Sequence, residues 1–169
     1  YKRQVVHLLS YEQKKDNINH IHGYGKHGKD TFMQSLAENG VDPDNEHFII
    51  KEYIDNMYTC MCASDLIITR AGAMTLTELM AIGRASILIP YPYAAENHQY
   101  YNALTLQNAN AGRIIDDKEL TGAVLIDTVT KLTDDPELLK LMSENAAKLS
   151  KHDAAGVILR EITDLMGLE

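Results

Sequence analysis

The sequence predicts an α/β fold, a doubly wound parallel sheet in one domain, and three observations carry that expectation. Short apolar, β-branched runs recur along the chain, as at 48–50, 66–69 and 87–89. Longer stretches with helical spacing of apolar residues separate them, the alternation that builds βαβ units. The 169 residues are 45% hydrophobic and 24% charged, the make-up of one folded domain at roughly 100–200 residues per domain.

Taken in order, Val5, Val6, Leu8, Leu9 and Tyr11 fit a helix face or a strand, and they are read as helix. Residues 18–22 read as a strand, followed by a loop from Gly23 to Lys29. Asp30 is the expected cap of a helix through Phe32, Met33 and Leu36, stopped by Gly40. The turn Asp42-Pro43-Asp44-Asn45 leads to a strand at 48–50, and Asp55 is the expected cap of a helix through Met57, Met61 and Ala63. A strand at 66–69 turns through Arg70-Ala71-Gly72-Ala73 into a helix carrying Leu76, Leu79 and Ile82, which Gly83 ends. The strand at 87–89 is stopped by Pro90 and Pro92. A helix from about Asn97 to Ala109 and a strand at 113–115 follow. From Leu120 onward the pattern is helical, with breaks at Asp134-Asp135-Pro136 and Lys151-His152-Asp153.

Charge narrows the function classes. Sixteen Lys+Arg against 24 Asp+Glu leave −8, histidines taken as neutral, which argues against a nucleic-acid surface. No apolar run approaches the roughly 18–20 residues of a membrane span, and no signal-like segment opens the chain. Cys60 and Cys62 stand too close together to staple a fold, which makes a reducing cytoplasm the default. The opening Tyr1-Lys2-Arg3 lacks a methionine and a helix-start signal, as expected of a piece of a longer protein.

In a doubly wound sheet, ligands bind beyond the carboxyl ends of the strands, so the loops after Thr69 and Pro90 are where to look. At Thr69-Arg70-Ala71-Gly72-Ala73-Met74-Thr75 a strand meets small residues and a helix start. Free backbone N–H groups and the helix dipole suit a phosphate there, and Gly72 would let it come close. Glu78, a turn further in, could accept from a ribose diol. Thr75-Leu76-Thr77-Glu78 equally spells a capping box, in which the glutamate folds back on its own helix start. The second segment, 90–102, carries amides, an imidazole and phenols, and Gln99 and Asn102 fall three apart on a helix, able to read sugar hydroxyls. The alternative is an exposed polar first turn with Tyr100 or Tyr101 packed inward. The third, Tyr53-Ile54-Asp55-Asn56-Met57, offers Ile54 to a planar base, or simply to the core.

Three features are set aside. His20 and His22 share a strand face, but with His27 they lack an acidic or thiolate partner at ligand spacing, so no metal is expected. Cys60-Met61-Cys62 is read as buried small hydrophobes. Gly23-x-Gly25-x-x-Gly28 has the dinucleotide-fingerprint spacing, yet no strong helix is read inside it, and its polar residues suggest a mobile turn.

The run from Ile68 to Leu79, then Pro90, then Asn97-His98-Gln99-Tyr100-Tyr101-Asn102-Ala103, resembles the C-terminal domain of glycosyltransferase family 28. The resemblance reaches from about Ile18 to the last helices. It implies the Rossmann-like C-terminal half of a GT-B glycosyltransferase that binds UDP-N-acetylglucosamine as donor. The implied reaction is inverting transfer to lipid I, making lipid II in bacterial peptidoglycan synthesis, with no cofactor or metal. By matching position, Ile54 would meet the uracil, Ala73, Met74 and Thr75 the diphosphate, Glu78 the ribose, and Gln99 with Asn102 the N-acetylglucosamine. Arg70 is given no contact. His98 stands where relatives often carry Gln or Arg. The family's opening strand with its Gly-Gly-Ser-x-Gly-Ala loop is absent here, as is the N-terminal domain that holds the acceptor and any membrane contact. The resemblance therefore places the catalytic residues outside this chain, implies that the isolated chain transfers no sugar, and puts the full enzyme at the inner face of the cell membrane. Another UDP-sugar enzyme of the same fold, or a non-catalytic nucleotide-sugar-binding subunit, are the alternatives.

Overall fold

The computed structural model describes residues 2–26, 28–150 and 153–167. Along the chain run α1 (Lys2–Glu12), β1 (His20–Gly23), α2 (Lys29–Glu38), β2 (Phe48–Lys51), α3 (Met57–Ala63), β3 (Leu66–Thr69) and α4 (Ala73–Ile82). Then come β4 (Ala85–Leu88), a 3₁₀ turn (Ala95–Asn97), α5 (His98–Asn108), β5 (Gly112–Ile114), α6 (Gly122–Thr133), α7 (Pro136–Lys148) and α8 (Ala154–Met166). The element order matches the expected alternation, and every strand pair is parallel.

The hydrogen-bonded ladders form two sheets, β1–β2 and β3–β4–β5, where a single one was expected. A core gathered around α1 spans the division. Val5, Val6, Leu8 and Leu9 pack with Phe32 and Phe48 on one side and Ile87 and Ile89 on the other. The second sheet is covered on both faces. Ala85 and Ile87 enter the core around α1, whereas Leu88 joins Leu76, Leu79, Ala103 and Leu106 on the opposite face. All four residues of β4 are buried, the polar Ser86 among them.

Local chemistry sets the helix ends, with two departures from expectation. The residue before α2 is Gly28 rather than Asp30, at φ 122°, a value open to glycine. α3 begins after Asn56 rather than Asp55, one residue later. Thr121 caps α6 by accepting from the Val124 N–H at 3.1 Å. Asp135 caps α7 through the Leu138 N–H at 3.0 Å with Pro136 in the first turn, as the break there predicted. The last predicted break falls partly on Lys151 and His152, outside the described residues; Asp153 stands at the start of α8. α8 buries none of its residues and leaves Val157, Ile158, Leu159, Ile162 and Leu165 exposed. Among the described residues no helix is long and apolar enough to cross a membrane.

Gly83 ends α4 at φ 63°, and a Cβ there would lie 3.0 Å from the Ala147 Cβ on α7. Gly40 has nearly the same φ, 64°, with nothing within 4 Å. The left-handed backbone alone costs an alanine roughly 1–2 kcal/mol. Gly83→Ala is therefore expected to lower the unfolding free energy more than Gly40→Ala does, both by at least about 1 kcal/mol, as urea titration would measure.

Candidate functional site

The strands of the second sheet end side by side, and the three loops beyond them form one polar surface. At its centre is the start of α4. Gly72 is the residue before the helix, in extended conformation (φ −68°, ψ 141°), with no side-chain cap. The first intrahelical bond there runs from the Leu76 N–H to the Gly72 carbonyl at 3.0 Å. The N–H groups of Ala73, Met74 and Thr75 precede it and have no acceptor within the helix. A Cβ built on Gly72 would meet nothing within 4 Å, so the fold itself does not require glycine here.

This frame disposes of the capping box. With Gly72 in the cap position, Thr75 lies inside the helix, three residues too late to cap it. Glu78 sits in the second turn and is exposed. It is therefore an outward-facing carboxylate beyond an uncapped helix start.

The second loop is tied to the first. Arg70 Nη1 donates to the carbonyls of Ile89 (3.2 Å) and Pro90 (3.1 Å) and to Asp117 Oδ1 (2.6 Å). Its guanidinium carbon lies 5.7 Å from the Tyr91 ring centre, and the Tyr91 N–H donates to Gln99 Oε1 at 2.9 Å. Asn102 Nδ2 donates to the Ala71 carbonyl at 3.4 Å. Gln99 and Asn102 thus brace the loops with one end of each amide. His98 Nδ1 donates to the Ala95 carbonyl at 2.8 Å, closing the turn before α5. Glu96 and Asn97 carry φ of 51° and 55° in that turn. Asparagine tolerates this geometry, but for glutamate it costs about 1–2 kcal/mol.

The structure brings Ala73, Met74, Thr75, Glu78, Gln99 and Asn102 to the end of the second sheet. Ile54 stands at the end of the first, buried, with its Cδ1 3.4 Å from where a Gly23 Cβ would be. Asp117 was not singled out from the sequence, and Tyr91 entered only as one of the phenols of the 90–102 segment. The signal for Asp117 was positional, since it follows the last strand and the loop beyond that strand belongs to the same edge.

Several discounted features look different in three dimensions. His20 has an acidic partner after all, because α1 brings Glu12 Oε2 to 2.5 Å from its Nδ1. His22 stacks on Phe32 with ring centres 4.9 Å apart, so the pair is part of the packing. Among the described residues no group of three or more His, Cys, Asp or Glu could hold a metal ion. Cys60 and Cys62 are half-buried rather than buried, and Met61 fills the core between them. Cys62 bonds to the Tyr58 phenol and raises its pKa above the ordinary tyrosine value. The glycine loop does lead into a helix, since α2 begins directly after Gly28. The loop is also tied down, by the Tyr24 and Gly25 N–H groups to the Lys51 and Glu52 carbonyls, each at 2.9 Å. His27 lies outside the described residues.

Parallel sheets wrapped by helices, with an uncapped helix start at the strand ends, define an α/β class of fold. MurG from Acinetobacter baumannii superposes with a TM-score of 0.79 at 27% identity, over 93% of this chain and 44% of that one. A glycotransferase of kitacinnamycin shares the fold at a TM-score of 0.68 and 16% identity, over 93% of this chain and 38% of that one. The profile of the glycosyltransferase family 28 C-terminal domain matches residues 1–158, and the chain belongs to that family. A Desulforamulus reducens protein named UDP-N-acetylglucosamine–N-acetylmuramyl-(pentapeptide) pyrophosphoryl-undecaprenol N-acetylglucosamine transferase is 39% identical over 96% of this chain. A Thermoanaerobacter protein of the same name is 40% identical over 91%. The chain spans 44% and 42% of their lengths.

The helix frame has a measurable consequence. Losing a capping residue costs about 0.5–2 kcal/mol, whereas an exposed residue outside such a motif changes stability by no more than about 0.5 kcal/mol. Glu78→Ala is expected in the second range by urea titration. A loss above 1 kcal/mol would restore the capping role.

Proposed function

We propose that this chain is the donor-binding domain of an inverting N-acetylglucosaminyltransferase using UDP-N-acetylglucosamine, with lipid I as acceptor and lipid II as product. The observation that carries this reading is the uncapped start of α4, with the exposed Glu78 one turn beyond it. Backbone N–H groups of Ala73, Met74 and Thr75 bind the diphosphate, assisted by the positive end of the helix dipole. Glu78 accepts from the ribose hydroxyls, too far along the helix to face the phosphates. Ile54 lies against the uracil. Gln99, whose carbonyl end is taken by the Tyr91 N–H, turns its amide nitrogen to the sugar, and Asn102 holds that helix to the α4 turn.

In the reaction an acceptor hydroxyl, giving up its proton to a base elsewhere in the whole enzyme, attacks the anomeric carbon as the bond from that carbon to the diphosphate oxygen breaks, and UDP departs. Negative charge grows on the leaving diphosphate, where fixed N–H donors stabilise it without reorganising. The names of the relatives support donor and acceptor alike. The acceptor site and any contact with the inner face of the membrane belong to the whole enzyme.

Calorimetry with UDP-N-acetylglucosamine tests the reading. A hydrogen bond to a charged group contributes about 1.5–3 kcal/mol, so Glu78→Ala should weaken binding at least about tenfold. Gln99→Ala should weaken UDP-N-acetylglucosamine more than UDP-glucose or UDP-galactose. Gly72→Ser places a capping hydroxyl over the donors. It should raise stability by a few tenths of a kcal/mol while lowering affinity several-fold, opposite signs that a purely structural helix start would not give. Wild-type affinity in all three variants, or no binding by the unmutated chain, would sink the proposal.

A further inference from the structure

Arg70 is the cation closest in sequence to the helix start, two residues before Gly72, and its position invites a role as a phosphate ligand. The geometry gives it other work. One guanidinium nitrogen, Nη1, serves two carbonyls at the end of β4 and the Asp117 carboxylate beyond β5, so a single side chain spans all three strand-end loops. Arg70 and Asp117 are each about 30% exposed, a half-sheltered pair held by a 2.6 Å contact. Beyond the carbonyls it grips, the chain continues into Tyr91, whose ring lies near the guanidinium and whose N–H bonds to Gln99 Oε1. The connections run in series from Asp117 to Arg70, to the 89–91 segment, to Gln99.

We infer that Asp117 is a positioning residue: by holding Arg70 across the strand ends it fixes the 89–99 loop, and so the Gln99 amide, relative to the start of α4. Without the Asp117 carboxylate Arg70 would lose its short charge-assisted hydrogen bond, and its hold across the strand ends would weaken. The diphosphate donors are main-chain groups of α4 itself, and they do not depend on the brace. The consequence is asymmetric. Loss of Asp117 should loosen the sugar end of the site and leave the nucleotide end in place. This rests on the donor-binding reading above for the ligands it names, while the brace itself can be tested without them.

The experiment uses Asp117→Ala and Asp117→Glu in this chain. Calorimetry gives the affinity for UDP and for UDP-N-acetylglucosamine, and amide hydrogen exchange is followed without ligand. In Asp117→Ala we expect UDP affinity within about threefold of wild type and UDP-N-acetylglucosamine weakened about fivefold or more. Amide exchange across 89–99, the Tyr91 N–H above all, should be faster, while α4 and β4 keep their protection. Asp117→Glu, which restores the charge on a longer stem, should recover part of both effects. Equal weakening of both ligands, or unchanged affinity for the sugar nucleotide, would overturn the positioning role. Unchanged exchange at 89–99 would overturn the brace. If the unmutated chain binds neither ligand, the donor-binding reading fails, and the exchange result still decides the brace.

Discussion

Parallel pairing of β3, β4 and β5 sets the strands' carboxyl ends in a row, and nearly every polar contact at the candidate site follows from that alignment. The β3–β4 register sets Thr69 against Leu88, which brings the Arg70 turn next to the Ile89-Pro90 carbonyls. The β4–β5 register sets Leu88 against Ile114, which places the Asp116-Asp117 segment within reach of the same guanidinium. Burial of β4 on both faces holds the registers, because slipping one residue would exchange Ile87 and Leu88 between two cores. Packing far from the site therefore decides where its hydrogen bonds can form.

The diphosphate site proposed at α4 would let an acidic chain handle an anion by local means. A net charge of −8 offers no broad positive field, and Arg70 is spent on holding loops. What remains is local: three adjacent N–H groups and the end of a helix dipole, both effective over a few ångströms and screened little by distant carboxylates. Glu78 faces outward a full turn away, where its charge does not compete for the same donors.

Much of this was legible in the sequence because strong local signals agreed with the global fold. Residues 66–69 form a strand where the pattern placed one, and a helix follows the small-residue turn, since an apolar run, that turn and a terminating Gly83 all point the same way. What escaped were relations between distant segments. Glu12 is the partner of His20 because α1 packs near β1, and no spacing rule links positions 12 and 20. The capping-box ambiguity at 75–78 depended on where the helix begins by a matter of three residues, finer than pattern alone resolves. The division into two sheets was equally hidden, because strand order leaves no trace in periodicity.

The bare cap position of α4 has a final consequence. A helix whose first donors have no acceptor of its own is left incomplete by the polypeptide, and an anion bound there, as proposed, would finish it. Ligand and fold are then linked through one set of hydrogen bonds. At a hundred times the dissociation constant, any ligand bound only by the folded chain adds about 2.7 kcal/mol to its stability. For this domain that gain would be concentrated at one helix end. The side chains of residues 73–75 would be free to vary to anything but proline, since the groups proposed to bind belong to the backbone.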